Sequence, residues 1–125
     1  MKKIINTTNA PKPIGPYNQA ILNNGILYVS GQIAFNPATG KLVLDDIKSE
    51  TKQVLDNIKS ILQEAGMDFT NLVKTTIYIS DLDHFAGINE VYGSYFSGNY
   101  PAREVAQVAR LPLNVNLEIS AIAAK

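Results

Sequence analysis

From Ile47 onward, Ile47, Thr51, Val54, Leu55, Ile58, Ile61, Leu62 and Ala65 fall at the offsets of three and four that place side chains on one side of a helix, with Lys48, Lys52, Asp56 and Lys59 between them. No other stretch of the chain is so regular, and it commits the fold to a helix whose apolar face has to be covered by something else. Asp45 and Asp46 suit the positive end of its backbone dipole. Gly66 supplies the residue that can turn left-handed beyond the last turn. The cover follows at once in the chain: Val73, Thr75, Ile77 and Ile79 alternate with Lys74, Thr76, Tyr78 and Ser80, the pattern of a half-buried strand.

The remaining elements fit around this pair. Ile26-Leu27-Tyr28-Val29-Ser30 is a β-rich run between Asn24-Gly25 and Gly31, and its turn residues predict a hairpin with residues 18–22. Asn36-Pro37 and Thr39-Gly40 mark turns. A second helix starts at Asp81 or Asp83, carries Phe85, Ile88, Tyr92, Tyr95 and Phe96 at helical spacing, and ends by Gly98-Asn99 and Pro101. Residues 104–109 and 115–123 read as strands separated by Leu111-Pro112-Leu113-Asn114. Strands, helix, strand, helix, strands is an α+β order, with two helices on one face of a mixed sheet and residues 1–125 forming one domain. The other sheet face is also partly apolar, with Ile122 pointing opposite to Val115, Leu117, Ile119 and Ala121, so self-association is the expected way to bury it.

Composition excludes several function classes. Eleven basic and eleven acidic residues cancel, so no net charge draws the chain to nucleic acid or to an anionic membrane. The chain has no cysteine and a single histidine, which rules out disulfides, thiolate nucleophiles and metal sites built from several of these residues. No apolar run has the length of a signal peptide core or a membrane span, and a cytoplasmic location is expected.

A few residues have the chemistry of a site. Arg103, just after Pro101-Ala102 at the entry to a strand, can grip a carboxylate through two parallel hydrogen bonds, or can be an ordinary surface arginine. Glu118 interrupts an apolar strand, where a carboxylate is either functional, paired, or turned to solvent on the outer face. Ser30 and Gly31 at a strand end offer a hydroxyl and a backbone that a ligand can approach closely. Tyr17 and Asn89 either orient a ligand or rim the core. His84, the only imidazole, could join Ser30 or Ser80 in a Ser–His–Asp triad, although the neighbouring aspartates point to a helix start instead.

Four segments, taken together, resemble the RidA/YjgF (reactive intermediate deaminase) family: Ala10-Pro11 through Ile14-Gly15-Pro16-Tyr17, Val29-Ser30-Gly31-Gln32-Ile33, Ile88-Asn89-Glu90-Val91-Tyr92, and Pro101-Ala102-Arg103 running into Val108-Ala109-Arg110-Leu111-Pro112. The resemblance continues through Leu117-Glu118-Ile119 and covers essentially the whole chain. It implies a chorismate-mutase-like fold assembled as a homotrimer, with sites in the clefts between subunits and no cofactor. It also implies hydrolysis of reactive enamines and imines (2-aminoacrylate/2-iminopropanoate, 2-iminobutanoate) to 2-keto acids and ammonia. Arg103 matches the arginine that binds the substrate carboxylate, Glu118 the glutamate that holds or activates water, and Tyr17, Ser30, Gly31 and Asn89 match cleft-lining positions. Where many members have Ser-Cys after the arginine, this chain has Glu104-Val105, which removes any thiol role and leaves the main chain around Val105 to serve the pocket. The competing expectation is a non-catalytic regulatory protein that binds a small carboxylate in the same cleft.

Overall fold

The computed structural model describes residues 1–125. The regular helical pattern forms α1 (Ile47–Glu64), and Thr51, Val54, Leu55, Ile58, Ile61 and Leu62 are all buried on its inner face. Asp46 caps the helix by accepting from the Ser49 N–H at 2.7 Å, a bond that holds its carboxyl below the ordinary range. Gly66 takes φ +72° after the last turn, and the N–H groups of Gly66 and Met67 close on the carbonyls of Gln63 and Leu62. Three polar residues of the helix, Glu50, Thr51 and Asn57, are buried along with the apolar face.

Six strands form one sheet: β1 (Lys3–Ile5), β2 (Ala20–Asn23), β3 (Ile26–Gln32), β6 (Leu72–Ile79), β7 (Ala102–Gln107) and β8 (Leu117–Ala124), in the order β1-β2-β3-β8-β6-β7. A separate short hairpin, β4 (Phe35–Asn36) with β5 (Lys41–Leu42), sits at the turns expected there. Every neighbouring pair in the large sheet is antiparallel except β6 with β7, whose parallel pairing is made possible by the crossover through α2 (Phe85–Ser94). Asn24 and Gly25 both take positive φ in the tight β2–β3 turn, which the right-handed twist of the flanking strands favours.

Leu27 and Val29 of β3, Thr75, Ile77 and Ile79 of β6, and Leu117, Ile119, Ala121 and Ala123 of β8 point to the face covered by α1 and by Ile88 and Tyr92 of α2. The architecture is therefore α+β, with a mixed sheet and its helices on one face. The opposite face is left with Ile4, Tyr28 and Tyr78 exposed and Ile122 half-buried. No helix is long and apolar enough to cross a membrane.

Several details differ from expectation. Val73 is 48% exposed, because a register shift between Leu72 and Lys74 turns Leu72 inward in its place; from Thr75 onward the alternation holds. The strand expected over 104–109 begins two residues earlier, at Ala102, since pairing with Lys74 starts directly after Pro101, which has no N–H to offer the ladder. Asp81 caps a single 3-10 turn, Leu82–His84, before α2 proper, and Tyr95 and Phe96 lie beyond the helix end. Residues 115 and 116 likewise precede β8, although Val115 is buried.

Asn57 ties α1 to the bend after β3, donating its amide to the carbonyls of Ile33 at 3.1 Å and Phe35 at 2.9 Å. Asn57→Leu removes both bonds, leaving the Ile33 carbonyl only the Phe35 N–H, and is expected to cost about 1–3 kcal/mol, read as a lower urea midpoint at unchanged slope.

Candidate functional site

The expected site residues divide into two groups on opposite faces of the sheet. The first surrounds Glu118. Between Val29 and Gln32, β3 carries one residue more than the facing stretch of β8, a bulge centred on Ser30 and Gly31. The Ser30 hydroxyl donates to the Asn18 carbonyl at 2.7 Å, which holds the bulge against the loop that leads from Tyr17. Tyr17, Ser30, Gly31 and Glu118 line a cleft of about 600 Å³ together with Ile14, Ile33, Pro112 and Leu113.

The Glu118 carboxyl lies across Gly31. A Cβ built on Gly31 would stand 2.9 Å from the Glu118 Cδ and 3.1 Å from its Cγ, so any side chain here would displace the Glu118 carboxyl, and space, not backbone conformation, favours glycine. Glu118 is half-buried and has no hydrogen-bond or ion-pair partner. Loss of hydration accordingly holds its carboxyl above the ordinary 4.5.

The second group surrounds Arg103. Its register partner on β6 is Thr75, whose side chain is buried on the helix side, so Arg103 also points toward α2. Asn89 accepts from the Arg103 Nη1 at 2.8 Å. The guanidinium carbon lies 5.0 Å from the centre of the Tyr92 ring and 5.5 Å from that of Phe85. Tyr92 is itself fixed by a 2.7 Å hydrogen bond between its hydroxyl and that of Thr75. Burial pushes the Tyr92 phenol up, so it stays neutral beside the cation. Asn89 and Arg103 line a cleft of about 330 Å³ with Tyr92, Gly93, Tyr100 and Pro101. One hydrogen bond to Asn89 leaves the other guanidinium donors available to a planar anion.

Arg103 and Glu118 therefore do not meet within one chain. Glu118 pairs with Tyr78 and shares its exposed face, while Arg103 pairs with Thr75 on the covered one. Val105 follows Arg103 on the same side of β7, where its side chain packs against the core and not in the arginine cleft. Glu104 points the other way and forms an ion pair with Lys74 at 2.7 Å, which lowers its carboxyl and keeps it from competing for Arg103. The triad is not formed: Ser30 bonds to Asn18, Ser80 bonds to Asn116, and the His84 side chain caps nothing.

Sequence reasoning missed the aromatic cradle of Phe85 and Tyr92, because helical spacing marks both as core. Leu113, exposed and left-handed at φ +56°, was legible only as part of a loop, yet it walls the Glu118 cleft.

Fold and clefts together define a class: a small α+β protein with one cleft that carries a cation and another that carries a carboxylate. Residues 7–125 match the family model described as endoribonuclease L-PSP. The chain is 51% identical over 125 residues to a RutC family protein of Pyrococcus horikoshii, covering 100% of this chain and 99% of that one. It is 49% identical to the 2-iminobutanoate/2-iminopropanoate deaminase of Rattus norvegicus, over 98% of this chain and 90% of the relative. Among solved structures, E. coli TdcF with bound serine matches at a TM-score of 0.95 and 43% identity over 98% of each chain. The E. coli YjgF gene product matches at 0.94 and 42%, again over 98% of each. The chain belongs to the RidA/YjgF family.

In Gly31→Ala the added methyl has to push the Glu118 carboxyl outward. Its titration, followed by carbon NMR of the side chain, is expected to fall from its raised value toward 4.5 as water regains access. A carboxyl that keeps its raised value in this variant contradicts the contact.

Proposed function

We propose that this chain is a deaminase that hydrolyses 2-aminoacrylate/2-iminopropanoate and 2-iminobutanoate to 2-keto acids and ammonia, in the cytoplasm, as one domain over residues 1–125. The observation that carries the reading is Arg103: an arginine seated between two aromatic rings, held by a single neutral partner, with donors to spare. Mammalian relatives at 46–49% identity bear the name of this deaminase, which supports the same reaction here.

The imine bears one carboxylate and one electrophilic C=N carbon. Arg103 grips the carboxylate in a two-bond pair, and Asn89, Phe85 and Tyr92 keep the guanidinium from swinging away. Glu118 takes a proton from water as the oxygen adds to C2 and returns it to the nitrogen, which gives a neutral carbinolamine. The hydroxyl proton then passes through Glu118 to the nitrogen as the C–N bond breaks and the keto group forms, so ammonia leaves and Glu118 is again a carboxylate. A carboxyl raised by burial is a stronger base than an ordinary glutamate, so its environment suits this task. No cofactor is needed for a reaction that free imines already undergo slowly in water.

Because the two groups lie on opposite faces of one sheet, the reading requires Arg103 of one copy to meet Glu118 of another, in the homotrimer that the family resemblance implies. The exposed Ile4, Tyr28 and Tyr78 give the outer face an apolar surface for such packing. A competing reading, a regulatory protein that binds a small carboxylate without turnover, draws support from the relative solved with bound serine. Ammonia release in an assay coupled to a serine or threonine dehydratase separates the two.

Arg103→Ala removes two charge-assisted bonds of about 1.5–3 kcal/mol each, so kcat/KM is expected to fall about 10²–10⁴-fold with the oligomer intact. A near-normal rate counts against the mechanism. In an equal mixture of Arg103→Ala and Glu118→Gln chains, unfolded and reassembled together, about one quarter of parental activity should return, since each mixed ring holds one intact site. Absence of recovery contradicts a site shared between copies.

A further inference from the structure

Glu50 is the one charged side chain buried in the interior, with no measurable exposure, and none of the ion pairs includes it. Both of its oxygens turn to a single residue. The Asn116 backbone N–H donates to Oε2 at 2.8 Å, and the Asn116 side-chain amide donates to Oε1 at 2.8 Å. Asn116 gives its other polar groups to Ser80: its carbonyl accepts from the Ser80 N–H at 3.0 Å and its Oδ1 from the Ser80 hydroxyl at 3.3 Å. One asparagine thus joins the first turn of α1, the end of β6 and the start of β8.

Asn116 also separates the two parts from which the Glu118 cleft is made. Before it lies the turn over 111–115, pinned by the buried Leu111 and Val115, in which Leu113 and Asn114 take φ of 56° and 55°. Left-handed backbone at two successive non-glycine residues is strained, and it persists only where the surroundings impose it. Pro112 and Leu113 of this turn wall the cleft. After Asn116, Leu117 opens β8 and Glu118 follows at once. Glu50 itself lines none of the clefts around Glu118 or Arg103.

We propose that Glu50 is a positioning residue: by gripping Asn116 it holds the 111–115 turn in its strained form and sets the place of Glu118 above Gly31. The kinetic consequence rests on the deaminase reading, whereas the grip itself does not. Leucine at position 50 leaves both Asn116 donors facing hydrocarbon. Glutamine can rebuild the fork, accepting from the Asn116 N–H and donating to an Asn116 carboxamide that turns over and donates in turn to the Ser80 hydroxyl.

The test is amide exchange and imine-hydrolysis kinetics on Glu50→Leu and Glu50→Gln, each alone and combined with Glu118→Gln. In Glu50→Leu, exchange at the Asn116 amide is expected to rise about tenfold or more, while the centres of α1 and β6 keep their protection. The same variant should lose about tenfold in kcat with KM changed less than about threefold, and Glu50→Gln should stay within about threefold of the parent. In the Glu118→Gln background the leucine should cost nothing further, because a group that acts through Glu118 has nothing left to act on. Parental kcat in Glu50→Leu, equal losses in the two variants, or losses that multiply in the double variant overturn the proposal. If Glu50→Leu does not fold, Ser80→Ala loosens the same asparagine and should shift both readouts in the same direction; no shift there overturns the proposal too. If the parent releases no ammonia, the deaminase reading fails, and exchange at Asn116 still decides whether Glu50 holds the turn.

Discussion

The alternation of side chains along β8 governs the rest of the molecule. This strand lies between β3 and β6, and its odd-numbered residues Leu117, Ile119, Ala121 and Ala123 are buried against the helices. Successive residues of a strand point to opposite faces, so Glu118, Ser120 and Ile122 have to emerge on the other side. A slip by one residue would drive Glu118 into the core and expel four apolar side chains, which fixes the register firmly. The placement of Glu118 is thus decided by the packing of its neighbours. The same reasoning applies to Arg103, which inherits its direction from the buried Thr75 beside it.

This division has an electrostatic result. A guanidinium and a carboxylate within reach of one another would pair and lose their capacity for a ligand. Kept on opposite faces, each retains it: Arg103 has only a neutral amide and two ring faces for company, and Glu118 has no partner at all. The nearby carboxylate that could have interfered, Glu104, is occupied by Lys74. One cleft carries a cation and no carboxylate, the other a carboxylate and no cation.

Much of this was legible in the chain itself. The period of α1, the Asn24-Gly25 turn and the alternation of β8 are local signals, written in residues close together, and the structure follows them nearly to the residue. Val73 was misread because a register shift depends on the partner strand, which no local pattern records. Arg103 and Glu118 were recognisable as unusual residues, but which face each occupies depends on pairings between distant segments. Glu50 was hidden for a further reason: a glutamate in the first turn of a helix is expected on dipole grounds, and its partner lies 66 residues away.

The parallel strand at the sheet margin has a consequence of its own. β7 is hydrogen-bonded on one flank only, and in the lone chain five of its six residues are exposed. A bare row of backbone donors and acceptors is a template on which stray chains can accrete, as in fibrils. Pro101 at its entrance, with Arg103 and Glu104 directly behind, sets a residue without an N–H and two opposite charges along that margin. These residues guard the margin against promiscuous strand addition while a newly made chain is still alone.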